Sequence, residues 1–109
     1  MAKSDKISII EIEQRNKFVA DALGEEAIAD SLIEECSELI QAVCKYKRAK
    51  GIGQPTSVSE KDARDNLIEE IADVKAALMM YMHCIDVITE DLIPIFDFKS
   101  ARSLDRIGK

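Results

Sequence analysis

Between Ser4 and Lys50 the chain carries one glycine, Gly24, and no proline, and most of its other breakers fall together in Gly51-Ile-Gly-Gln-Pro-Thr-Ser-Val-Ser59. Punctuation this sparse leaves room for long helices and one main loop, and strand signals are weak throughout. The apolar periodicity predicts helices over about Ser4–Leu23, Glu25–Lys50, Lys61–Ile88 and Glu90–Ile107. Ser59 is placed to cap the third helix, with Asp62 three residues on, and Thr89 to cap the fourth. Pro94 removes one backbone bond just past the first turn, so the fourth helix is expected to start after Thr89 or to bend. These elements predict an all-α fold, an antiparallel four-helix bundle filling residues 1–109 as a single domain.

The third helix is apolar over most of its circumference. Val74 to Ile85 holds one charged side chain before His83, Lys75, while Leu67, Ile68, Ile71, Leu78, Met79, Met82 and Ile85 spread round the helix. One wet side per helix is the rule in a single bundle layer, so such a helix is expected to be buried nearly all round by a second subunit. A homodimer or homotetramer follows.

Twenty-one acidic against fifteen basic residues give a formal charge of −6, the wrong sign for a protein whose main business is a phosphate backbone, so nucleic acid is not an expected partner. Cys36, Cys44 and Cys84 form no Cys-x-x-Cys pair and sit inside apolar runs. They read as free, mostly buried thiols of a reducing compartment, which makes the cytoplasm the expected location. Met1 to Ile12 contains no continuous apolar segment and no uncharged run is long enough to span a bilayer, so no export signal and no membrane partner are expected.

Carboxylates lie where apolar residues are expected. At 100° per residue, Glu35 falls inside the stripe formed by Ile28, Leu32, Leu39, Ala42 and Tyr46, and Glu38 lies on its border about 60° away. On the third helix Glu70 and Asp73 repeat the pattern beside Asn66, Ala77 and Cys84. The strings Glu34-Glu35-Cys-Ser-Glu38 and Glu69-Glu70-Ile-Ala-Asp73 therefore match on two helices that one loop joins as antiparallel neighbours. Four carboxylates gathered at a partly buried spot cost several kcal/mol per ion unless a cation compensates. An oxygen-only ligand set selects a hard ion, Mg²⁺ first with Mn²⁺ as a substitute, and two such ions are expected.

Glu-Glu-x-x-Glu on one helix followed by Glu-x-x-Asp on the next resembles the signature of the MazG-like all-α nucleoside triphosphate pyrophosphohydrolases, relatives of the dimeric all-α dUTPases. The similarity spans about Ile28 to Ile88, with a longer stretch between Glu38 and Glu70 than is usual. The resemblance implies Mg²⁺-dependent hydrolysis of a nucleoside triphosphate to monophosphate and pyrophosphate, with Glu35, Glu38, Glu70 and Asp73 as metal ligands. Glu35 or Glu38 would then orient the attacking water and accept its proton.

A triphosphate needs cationic partners. Lys45, first among them, and Arg48 follow the acidic motif on the second helix, and Lys99 and Arg102 belong to a basic stripe with Arg106 on the fourth. Asn16, Phe18, Asn66 and Tyr81 are candidates for the base and sugar by face alone, Phe18 and Tyr81 reading more readily as core. His83, the lone histidine, reads as structural. A di-iron bundle requires Glu-x-x-His, but position 80 is Met, and no glycine-rich phosphate loop is present. The remaining alternative is a non-catalytic helical dimer acting as an interaction or regulatory module.

Overall fold

A computed structural model describes residues 7–109, and it is all-helical: α1 (Ile9–Leu23), α2 (Glu25–Ala49), α3 (Glu60–Cys84) and α4 (Thr89–Arg106). The expected start of the first helix at Ser4 lies outside the described residues. Ser8 begins α1 with a capping box: its Oγ accepts from the Glu11 N–H at 3.1 Å, and Glu11 accepts from the Ser8 N–H at 3.2 Å. Gly24 both ends α1 and starts α2. Its N–H donates to the Ala20 carbonyl at 2.9 Å with φ at 91°, a backbone state that glycine adopts without steric cost.

Ser59 caps α3 as its position predicts, its Oγ accepting from the Asp62 N–H at 3.1 Å. Ser59→Ala is expected to cost about 1 kcal/mol, read as a lower urea midpoint at unchanged slope. Thr89, by contrast, is not a cap. It is the first residue of α4, and the Asp91 carboxylate receives the Ile88 N–H at 2.9 Å instead. The helix begins at Thr89 rather than later and runs through Pro94 to Arg106, tolerating the missing donor. The third helix stops at Cys84, short of the expected Ile88, because Asp86 turns into the left-handed region at φ 56°.

Within one chain α3 is the central helix, packing on α2 most extensively and on α1 as well, while α1 touches α2. Among the described residues, α4 packs on no other helix. The buried core consists of Ala20, Ile28, Ala42, Ala63 and Ala77, a set dominated by alanines that let helix backbones approach closely. The expected all-round burial of α3 is not met in the single chain: Ile68, Ile71 and Leu78 are 43–50% exposed, and Ile85 just beyond its end is 42% exposed. Only α1 and α2 cover this helix, since α4 stands away from it. Cys36 and Cys44, expected inside, are exposed, Cys84 is half-buried, and all three are free. Phe18 also departs from the core reading, at 76% exposure on the outer face of α1. No helix among the described residues is long and apolar enough to cross a membrane.

Candidate metal centre

Position along two helices, rather than a loop, builds the acidic cluster. Glu35 and Glu38 lie one turn apart on α2, and Glu70 lies on α3 at a comparable distance from the connecting loop. The two helices pack side by side, so residues equally far from their connection meet. Glu35, Glu38 and Glu70 are half-buried, and each offers a carboxylate oxygen within 4.8 Å of those of the other two.

The electrostatics of this trio are unfavourable. Glu35 Oε1 is buried without any hydrogen-bond partner. Desolvation pushes the Glu35 carboxyl above the usual carboxylate range, and the charges of Glu38, Asp73 and Glu70 push it further. Glu70 is raised for the same first reason, then by the Asp73 side chain beside it and by Glu38. Asp73 itself is exposed and stands outside the close trio, although its charge reaches both Glu35 and Glu70.

No lysine or arginine among the described residues forms an ion pair with these groups; the ion pairs present are Lys61–Asp65 and His83–Asp21, each at 2.8 Å. Lys45 is exposed, and Arg48 is half-buried with its Nε lacking a partner. The other two cations expected at the phosphates are not brought to the cluster within one chain. Lys99 and Arg102 ride on the unpacked α4, where the Arg102 guanidinium sits 5.6 Å from the Phe98 ring centroid.

His83 is accounted for structurally: its Nε2 lies 2.8 Å from Asp21 Oδ1, tying α3 to α1. Asn16 makes a second tie, its Nδ2 lying 3.2 Å from Met79 Sδ. Sequence reasoning did not reach either cross-helix contact, because each joins residues 62 or 63 positions apart and no local spacing marks them. Asn66 and Tyr81 are half-buried.

Oxygen donors alone, crowded together with one left unpaired, fit a hard divalent cation such as Mg²⁺. Without a cation, acid should favour the fold. A carboxyl raised in the folded state contributes stability below its unfolded pKa and loses it as pH rises through the folded value. In chelator, the wild-type melting temperature should therefore fall relative to Glu35→Gln as pH rises through and above the ordinary carboxylate range, and excess Mg²⁺ should close the gap. Parallel melting curves for the two proteins across that range would contradict this electrostatic account. Compared with known proteins, the sequence matches no family description, and neither a curated protein nor a solved structure is significantly similar to it.

Proposed function

We propose that the chain is a MazG-like hydrolase that splits nucleoside triphosphates into monophosphate and pyrophosphate with Mg²⁺, in the manner of a nucleotide-pool cleanser. The single observation that supports this most is the convergence of Glu35, Glu38 and Glu70 from two helices, with one buried oxygen unpaired. Glu35, Glu38 and Glu70 would hold the metal, with Asp73 completing the set from the exposed side. When bound, Mg²⁺ neutralises phosphate oxygens and lowers the pKa of water.

The protein's own groups supply the rest. Glu35 or Glu38 would accept the proton of the attacking water. Lys45 and Arg48, beyond Glu38 on α2, are the cations this chain can direct at the triphosphate tail. Lys99 and Arg102 would have to come from α4 of another copy, in a four-helix arrangement completed by association into a homodimer or homotetramer. The location proposed is the cytoplasm, where nucleoside triphosphates and reduced thiols coexist, and no nucleic acid partner is proposed.

The test is pyrophosphate release from a panel of canonical and modified ribo- and deoxyribonucleoside triphosphates, with and without Mg²⁺. Release by the wild type, lost without Mg²⁺ and lost in Glu38→Gln, is the expected result. A non-catalytic module would release none from any member of the panel.

A further inference from the structure

The two cross-helix ties fix how far α1 reaches. Asn16 meets Met79 and Asp21 meets His83, offsets of 63 and 62 residues that make α1 and α3 parallel and set Ile9 level with about residue 71. Gly24 alone joins α1 to α2, so α1, with 15 residues against 25 in each of the next two helices, covers α2 only as far as about residue 40. Beyond that level α2 and α3 continue, with no third helix packed on them among the described residues, as a two-helix arm closed by the Gly51–Ser59 hairpin. Glu35, Glu38 and Glu70 lie at its root.

Charge divides at the same level. Residues 41–65 hold six lysines and arginines against three acidic residues, a local charge of +3, and the rest of the chain holds nine against eighteen, a charge of −9. Among the described residues, Lys61 is the one cation of the arm in an ion pair. Lys45, Lys47, Lys50 and Arg64 are exposed, and Arg48 keeps an unpartnered Nε. Basic residues at a helix C-terminus ordinarily answer its negative dipole end, but here the positive N-terminal end of α3 lies beside it and offsets that half-charge. The positive charge of the arm therefore faces solvent.

A small, multiply charged anion is the partner that this division fits. The remainder of the molecule repels it, and the arm attracts it beside the carboxylates. A polynucleotide fits less well, because its charge repeats along a rod most of which would lie over the acidic remainder. Lys47 stands about 14 Å and Lys50 about 18 Å from Glu38 along α2. These distances place both lysines outside the cluster itself, yet within reach of its field at low salt, where the Debye length exceeds about 10 Å.

We propose that Lys47 and Lys50 form a capture surface for the nucleoside triphosphate: its polyphosphate tail lands on the arm at these two ammonium groups before the substrate settles at the cluster. The identity of the anion rests on the hydrolytic reading; the attraction does not.

Two measurements on the full chain test it. In chelator at about 20 mM salt, inorganic tripolyphosphate should shift the backbone amide resonances of the arm, around residues 45–50 and 60–64, and leave those around Lys17, Lys75, Lys99 and Arg102 in place. Lys47→Gln/Lys50→Gln or about 0.5 M salt should abolish the shifts, and Lys47→Arg/Lys50→Arg should keep them. In hydrolysis with Mg²⁺ at low salt, the double glutamine variant should lower kcat/KM by about 5-fold with kcat unchanged. Shifts confined to the arm in a protein that hydrolyses no nucleotide would support the capture surface and fail the hydrolytic reading alone. The capture surface is overturned by shifts that survive the glutamine variant, by shifts centred elsewhere, by a short DNA duplex that binds the arm more tightly than tripolyphosphate does, or by a loss in kcat as large as the loss in kcat/KM.

Discussion

Glu35→Gln is expected to lower Mg²⁺-dependent pyrophosphate release by at least about 100-fold, while the chelated protein melts at a higher temperature than the wild type at neutral pH. The substitution keeps the shape of the side chain and removes its charge. Under the proposed function, lost charge would deprive the cation of a ligand and the attacking water of a proton acceptor. The same loss relieves the repulsion that Glu38, Asp73 and Glu70 exert on Glu35, and spares the desolvation of a buried ionised oxygen. Activity and unliganded stability should therefore move in opposite directions, a pairing that a merely structural glutamate would not produce. Asp73→Asn should also abolish release with helicity intact, but being exposed it should change the melting temperature less. Near-normal turnover in Glu35→Gln would remove the catalytic assignment.

Ile28→Ala should cost about 2–5 kcal/mol of unfolding free energy, the largest stability loss expected of any single truncation here. Ile28 is 2% exposed and is the one buried residue larger than alanine among the described residues. It lies on α2 on the same face as Glu35, two turns nearer the N-terminus, so a cavity there would loosen the α2 platform that carries two of the carboxylates. The check is urea denaturation at fixed protein concentration, comparing Ile28→Ala with Ile28→Val, for which about 1 kcal/mol is expected. A loss below that from the alanine variant would mean that packing is not concentrated at this position.

The helices and the acidic cluster were legible because both depend on short-range periodicity. Two Glu-x-x-acid strings on apolar faces, joined by one glycine- and proline-containing loop, are enough to predict that Glu35, Glu38 and Glu70 converge. Asp73 shares that face on the wheel, yet it ends up exposed and outside the close trio, since a wheel gives direction but not the depth of a neighbouring helix. What escaped the sequence depends on where whole elements go. The sequence pattern marks α4 as a helix, but says nothing about what that helix packs against. The exposure of Ile71 and Leu78, and the separation of Lys99 and Arg102 from the carboxylates, follow from that one placement. Cys36 and Cys44 were misjudged because apolar neighbours in sequence lie on different sides of a helix.

The connection from Gly51 to Ser59 lies three or so helical turns from the carboxylates, and the α2–α3 contact, not this hairpin, sets their register. Its backbone makes few commitments to the rest of the molecule. A flexible peptide spliced in there, long enough to carry a fluorophore or an affinity handle, would add only a slowly growing entropic penalty. The hairpin is thus a place to label this protein away from its acidic cluster.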